Sequence, residues 1–258
     1  MTEFPPAIMN SIRHAADIIR ESRIVIALTG AGVSTRSGIP DFRSPNGGLW
    51  TRFDPLEVAS LIAFRYNPAK FFGWIRPLAR EMVEAEPNGA HIGLARLENE
   101  GRITTIITQN IDGLHQRAGA KHVLEVHGTM QTLSCVGCYQ QFSSAFFIEP
   151  FIHSGQIPSC PNCGNILKPD IVLFGEQMPA RTWNKAVQAC SLCDTMIIAG
   201  SSLEVMPVAG LPIQALEAGA HLILINQTPT YIDERADVVI HDDAADILPK
   251  LAEEVIRD

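Results

Sequence analysis

The sequence predicts an α/β protein, a parallel sheet with helices on both faces that carries a smaller inserted lobe. Three observations predict it: short, fully apolar runs recur along the chain, helix-like stretches alternate with them, and two regions of different composition interrupt the alternation. At 258 residues the chain can form one large domain or a main domain with a smaller one attached.

From Ala7 to Ser22, residues Ile8, Ile12, Ala15, Ala16, Ile18 and Ile19 recur at helical spacing, and the β-branched run RIVIALT follows. This reads as a helix leading into a buried strand. Further apolar runs lie at 103–110 (ITTIITQN), 194–202 (DTMIIAGSS), 221–227 (HLILINQ) and 236–241 (ADVVIH), with helix-like stretches before the first three. Strands apolar on both faces belong to a covered parallel sheet. Several runs end in small or polar residues: TGAGVS, TQNID, GSSLEV and INQTPT. Ligands of open parallel sheets bind beyond the carboxyl ends of the strands, so these tails are expected around one site.

The first interruption, from about Ser37 to Glu86, is rich in Pro and Gly and then in aromatic helical segments; the second, from about Gly128 to Asp170, holds two cysteine pairs. The expected division is a main sheet domain from 1–36, 87–127 and 171–258, a helical and loop insertion at 37–86, and a metal-binding insertion at 128–170.

The formal charge of −8 argues against broad affinity for nucleic acid or anionic membrane, although it selects no partner by itself. No apolar run approaches the roughly 18 residues that cross a bilayer. The N-terminus MTEFPPAIMN lacks the basic start and apolar core of a secretory signal, so a cytoplasmic, reducing setting is expected. Six cysteines there point to metal ligation or buried thiols.

Gly30 and Gly32 follow the first strand as G-x-G, where absent side chains allow backbone N–H groups to approach a pyrophosphate. That is the start of a Rossmann-like nucleotide fold, and a tight turn without a ligand is the plain alternative. A dehydrogenase fingerprint needs a third glycine at the position of Thr35 and then a continuous helix. Gly38, Pro40, Pro45, Gly47 and Gly48 put loop there instead. Asp41, Phe42 and Arg43 then set an acid, an aromatic face and a guanidinium side by side, suited to phosphate neutralisation and shielding of a reactive centre. An ordinary loop with a charge pair and a buried Phe fits them equally.

Gln109, Asn110 and Asp112 follow another strand and suit ribose hydroxyls and a carboxamide; capping of the next helix is the alternative for Asn110 or Asp112. Of eight histidines, only His127 sits in a polar turn just after a short apolar strand, where it can act as a general base. The others, His91 and His115 among them, are assigned surface or packing roles. Cys135 and Cys138, a 21-residue spacer, then Cys160 and Cys163 form two C-x2-C knuckles that deliver four thiolates to one structural zinc. Cys190 and Cys193 share the spacing but lie at a helix end without Gly or Pro, so they read as buried apolar groups.

The ordered set TGAGVSTRSGIPDFR, TQNIDGLH, EVHG, the two cysteine pairs, KPDIVLFGE, GSSLEVMPV and INQTPT resembles the sirtuins, NAD-dependent protein-lysine deacylases, over nearly the whole chain. The resemblance implies that Ala31, Gly32 and Arg43, with Ser201 and Ser202, contact the phosphates of NAD, and that Gly30 and Asp41 also bind the cofactor. It implies Gln109 and Asn110 at the nicotinamide ribose, Asp112 at the carboxamide and Asn226 at the adenine-side ribose. Asp243 and Ala244 correspond loosely to the adenine loop. Phe42, Asn110 and His127 are implied in catalysis, with Phe42 covering the anomeric carbon and His127 as general base. Val172, Phe174, Gly175 and Val205 resemble the edges between which a substrate peptide lies as an extended strand. NAD is consumed, giving free lysine, nicotinamide and an O-acyl-ADP-ribose; mono-ADP-ribosyl transfer at the same site and a dehydrogenase are the rival activities. Sirtuins that prefer acidic acyl groups carry a Tyr-x-x-Arg pair, and FFGWIRPLAREM at 71–82 has no tyrosine, so a neutral acyl group is expected.

Overall fold

The computed structural model describes residues 4–42 and 48–257. Helix α1 (Pro6–Glu21) buries Ile12, Ala15, Ala16 and Ile19 and leads into the fully buried strand β1 (Val25–Thr29). A 3-10 helix, Ala31–Ser37, follows β1 where the prolines and glycines forbid a long α-helix. Then come three helices, α2 (Pro55–Val58), α3 (Leu61–Tyr66) and α4 (Pro68–Glu84), whose first turns are capped by the side chains of Asp54, Ser60 and Asn67. The chain returns to the sheet through α5 (Gly89–Asn99), β2 (Thr105–Thr108), α6 (Leu114–Arg117) and β3 (Val123–Glu125). A second excursion holds β4 (Gly128–Cys135), β5 (Gln141–Ser143), α7 (Ile148–Ser154) and β6 (Leu167–Ile171). The remainder alternates: α8 (Ala180–Leu192), β7 (Thr195–Ala199), α9 (Leu211–Glu217), β8 (His221–Ile225), β9 (Val238–Ile240) and α10 (Ala244–Ile256).

Six strands form one parallel sheet in the order β3-β2-β1-β7-β8-β9, as the apolar runs predict. Each strand is shorter than its run; 103–110, for example, contributes only Thr105–Thr108. Side chains alternate across the sheet, so Val25 and Ala27 pack toward α1, α5 and α10 while Ile26 and Leu28 pack toward α8 and α9. Cys190 and Cys193 belong to this second layer, as expected for apolar thiols; burial pushes them up to about 12 and about 11. The chain winds outward from β1 through β2 to β3, then restarts at β7 and winds the other way. The reversal therefore falls between β1 and β7, and an open α/β sheet has its crevice at such a point. Among the described residues no helix is long and apolar enough to cross a membrane.

The two excursions share a core in which Phe64, Phe71, Phe72, Ile75 and Ala79 meet Phe151, Ile171 and Leu173. Strands β5, β4 and β6 make a small antiparallel sheet. Gly128 joins that sheet to the large one at φ 79°, and a Cβ there would collide with the carbonyl oxygen of Asp170. Strain and collision act together at this position. Gly128→Ala is expected to lower stability by about 2–4 kcal/mol, to be read as a drop in the urea midpoint; an unchanged midpoint would refute the steric account.

Candidate active site

The loops leaving β1 and β7 interlock. Gly30 N–H donates to the Ala199 carbonyl at 3.1 Å and Gly32 N–H to the Gly200 carbonyl at 2.8 Å. A Cβ on Gly32 would lie 2.8 Å from Gly200 Cα, and one on Gly30 2.8 Å from Gly200 O. At these two glycines the amides are engaged by backbone carbonyls, and the missing side chains admit the neighbouring loop. Gly38, at φ 89°, ends the 3-10 helix by donating its N–H to the Thr35 carbonyl at 3.0 Å.

A buried polar floor lies beside this junction. The Ser34 hydroxyl donates to Asp112 Oδ2 at 2.7 Å and accepts from Asn110 Nδ2 at 3.0 Å. Asp112 Oδ1 accepts the Leu114 N–H at 2.9 Å, so one carboxylate both starts α6 and holds the floor. His91 Nε2 lies 3.3 Å from Ser34 Oγ, while its Nδ1 accepts the Asn88 N–H at 3.3 Å in the capping box of α5. A backbone N–H only donates, so Nδ1 is bare and the proton sits on Nε2. Burial pushes His91 down to about 4, partly opposed by Asp112, and pushes His115 down to about 3, with His91 adding to the shift. Both rings are fully enclosed beneath the site, which selects packing over surface for these two histidines.

His127 stands at the end of β3. Its Nδ1 is 3.1 Å from the Gln109 carbonyl, an acceptor only, so Nδ1 carries the proton and Nε2 the lone pair of the neutral ring. Its own carbonyl accepts the Val172 N–H at 2.8 Å. Gln109 Nε2 donates to Ser201 Oγ at 2.8 Å, bridging the tails of β2 and β7. Asn226 Nδ2 donates to the Thr228 carbonyl at 2.7 Å. Asp243 caps α10 through Ala245 N–H at 2.9 Å and accepts Arg36 Nε at 2.7 Å, so its carboxylate already ties α10 to the 3-10 helix.

A cavity of about 660 Å³ lies against this floor. Gly30, Ala31, Gly32, Asp41 and Phe42 form one wall, and Gln109, Asn110, Asp112 and His127 the next. Ser201, Ser202, Asn226, Asp243 and Ala244 line it as well, as do Val172, Phe174, Gly175 and Val205. Arg43 lies outside the described residues. The sequence reading missed Ser34 and an apolar wall of Ile39, Trp50, Trp74, Met82 and Ile111. Phe42, Trp50 and Trp74 form a ladder with centroids 5.1 and 5.8 Å apart, the second pair stacked. Only Ser34, next to the glycine loop, had a local signal; the tryptophans meet the site through tertiary packing.

Cys135, Cys138, Cys160 and Cys163 bring four sulfurs within 4.8 Å of one another. Sγ separations of 3.4 Å (Cys135 to Cys163) and 3.7 Å (Cys138 to Cys160) are close to the ~3.8 Å edge of a tetrahedron with zinc–sulfur bonds of about 2.3 Å. The Gly137 and Cys138 N–H groups both point at Cys135 Sγ at 3.4 Å, and Asn165 Nδ2 at Cys163 Sγ at 3.4 Å. These donors suit thiolates, so the set fits a closed structural zinc site with no position left for water.

Residues 30–207 match the Sir2 family model. The chain is 45% identical over 249 residues to NAD-dependent protein deacylase 2 of Archaeoglobus fulgidus, covering 96% of this chain and 97% of that protein. The chain belongs to the Sir2 family. An NAD-dependent protein deacetylase of Caldivirga maquilingensis is 44% identical over 243 residues, covering 94% of this chain and 93% of that protein. A solved Sir2 structure with a p53 peptide and NAD+ superposes with a TM-score of 0.86 at 37% identity, covering 94% of this chain and 98% of that one. The Sir2 architecture thus extends over the sheet, both excursions and the cleft.

Two measurements test this description. A histidine with a depressed folded pKa takes up a proton on unfolding, so the stability tied to His91 and His115 is full above about 6.5 and falls as pH drops toward their folded values of about 4 and about 3. Each is expected to add a slope of about 1.4 kcal/mol per pH unit within that window; urea denaturation at pH 7 and pH 5 reads it, and equal stabilities would contradict it. Metal analysis is expected to find about one zinc per chain, with Cys135→Ala losing the metal and several degrees of Tm; a full metal complement in that variant would count against the site.

Proposed function

We propose that this chain removes acetyl or other neutral acyl groups from protein lysines in an NAD-dependent reaction, giving free lysine, nicotinamide and an O-acyl-ADP-ribose. One observation carries the reading: a single cavity joins a histidine whose Nδ1 is held by a backbone carbonyl, a set of amide, hydroxyl and carboxylate groups, and apolar aromatic side chains. Relatives named as NAD-dependent deacylases and deacetylases, and a Sir2 structure with peptide and NAD+, support it. The cavity volume lies within the range of ligand pockets, and its donors suit ribose hydroxyls and a carboxamide.

NAD, consumed as a substrate, supplies a ribose carbon whose bond to nicotinamide breaks and which takes up the acyl-lysine oxygen. Asp112, held by Ser34 and by the start of α6, orients the carboxamide, and Gln109 and Asn110 hold the nicotinamide ribose. Ser201 and Ser202, with Ala31 and Arg43, hold the phosphates; Asn226, Asp243 and Ala244 serve the adenosine end. Phe42, braced on Trp50, shields the vacated ribose face from water and from returning nicotinamide. His127 Nε2 removes the proton of a ribose hydroxyl, which attacks the imidate carbon, while the Gln109 carbonyl stabilises the imidazolium through Nδ1. Water then adds, the bond from that carbon to the lysine nitrogen breaks and the acyl group stays on the ribose.

The substrate peptide lies between Val172–Gly175 and Val205. Phe174 is already paired on its far side, its N–H donating to the Ala59 carbonyl at 3.0 Å and its carbonyl accepting the Leu61 N–H at 3.0 Å. A neutral acyl group suits the wall it meets. The arginines of α4 are engaged elsewhere, Arg76 on the Ile152 carbonyl at 2.8 Å and Arg80 on the same carbonyl at 3.1 Å. The chain divides functionally as 1–36, 87–127 and 171–258 for the nucleotide, 37–86 for the covering loop and acyl wall, and 128–170 for zinc. Six cysteines free of disulfides are compatible with a reducing, cytoplasmic setting.

Incubation with an acetyl-lysine peptide and NAD, followed by mass spectrometry, is expected to show deacetylated peptide and acetylated ADP-ribose together. His127→Ala is expected to lose at least about 100-fold in kcat. Turnover without NAD would sink the proposal; an ADP-ribosylated peptide would reassign the site to ADP-ribosyl transfer, and reduced nicotinamide to a dehydrogenase.

A further inference from the structure

Beneath Asn110 runs a hydrogen-bond chain with no direct part in the chemistry above. Thr29 and Thr108 end β1 and β2 as register partners, and both are buried. The Thr29 hydroxyl donates to Thr108 Oγ1 at 2.9 Å. Its one proton is thereby committed, so at the 2.9 Å contact with His115 Nε2 the ring is the donor. Thr108 Oγ1 also accepts the backbone N–H of Asn110 at 3.1 Å, and the Thr29 carbonyl accepts the Gln109 N–H at 3.0 Å. The chain leads from a buried imidazole to the peptide bond between two residues that border the cleft.

The same direction of donation leaves His115 Nδ1 without a proton. That atom is buried, with no hydrogen-bond partner among the described residues. The His91 ring stands edge-on to it, with centroids 4.9 Å apart at 64°. A buried acceptor without a partner lowers stability, and an apolar ring would fill the space without that defect. What a phenyl ring cannot supply is the Nε2 proton.

We propose that His115, acting through Thr29 and Thr108, is a positioning residue that fixes the 109–110 peptide bond and so the reach of Gln109 and Asn110 into the cleft. Its effect on turnover rests on the function proposed above; its effect on the backbone does not. The Asn110 side chain is held separately by Ser34, so the residue is gripped at both its amides.

Thr29→Val keeps the side-chain shape and removes the hydroxyl, Thr29→Ser keeps the hydroxyl, and His115→Phe keeps a ring and removes the donor. Thr29→Val and His115→Phe are each expected to lower kcat on an acetyl-lysine peptide by on the order of 10- to 100-fold with little change in peptide KM. Thr29→Ser restores turnover, and His115→Phe melts no lower than the parent protein. Amide exchange at Asn110, followed by NMR, quickens by about 10-fold in Thr29→Val and recovers in Thr29→Ser. Wild-type kcat and exchange in Thr29→Val would overturn the proposal. So would failure of Thr29→Ser to recover, or a fall in Tm that tracks the fall in activity, since either assigns a packing role. If the parent protein shows no NAD-dependent deacylation, the functional reading falls and Asn110 exchange alone decides the positioning role.

Discussion

The contact of the Gly30–Gly32 loop with Gly200 governs the cleft. Parallel strands β1 and β7 are neighbours at the point where the winding reverses, so their following loops diverge and leave a crevice. Two backbone hydrogen bonds hold the loops together at their roots, at a separation that leaves no room for a Cβ on any of the three glycines. Everything farther along each loop inherits that placement. On one side the 3-10 helix carries Ser34 to the floor; on the other, Ser201 meets Gln109. A larger residue at the root would spread the walls before any ligand group was reached.

Below the cleft, electroneutrality follows from burial. Desolvation outweighs the nearby Asp112 at His91 and is reinforced by His91 at His115, so both rings remain neutral and present an N–H to a hydroxyl. A charged imidazolium in that place would be drawn to Asp112 and would compete with Ser34 for it. With neutral rings, the hydroxyls of Ser34 and Thr29 keep one direction of donation. His127 differs in place: it is only half-buried, and its Nδ1 is held by the Gln109 carbonyl.

Much of this was legible in the chain because the relevant signals are local. Apolar runs give strands, their small and polar tails give the rim of the site, and C-x2-C pairs give a tetrahedral sulfur set. The approach of Gly200 was not legible, since a G-x-G spelling does not say which neighbouring loop comes close. That His91 and His115 meet beneath the site was not legible for a related reason. Each sits on a short helical stretch with ordinary neighbours, and only tertiary packing brings them to within 4.9 Å of each other under the floor. The Phe42, Trp50 and Trp74 ladder likewise joins residues from a loop, a 3-10 turn and α4 that no periodicity relates.

The four-cysteine knuckle reaches the active site through register. Strand β4 starts at Gly128, immediately after His127, and ends at Cys135; β6 begins with Leu167 and ends at Ile171, immediately before Val172. The two pair from Gly128 with Ile171 at the cleft end to Cys135 with Leu167 at the metal end, across an irregularity between Thr129 and Leu133. That irregularity interrupts the ladder, so pairing at one end does not enforce pairing at the other. A closed sulfur site clamps the far end independently and holds both strands in alignment. At the near end the same alignment is completed by the hydrogen bond from Val172 N–H to the His127 carbonyl. A metal that takes no part in the chemistry can therefore influence it by keeping the general base and the edge for the substrate strand in register.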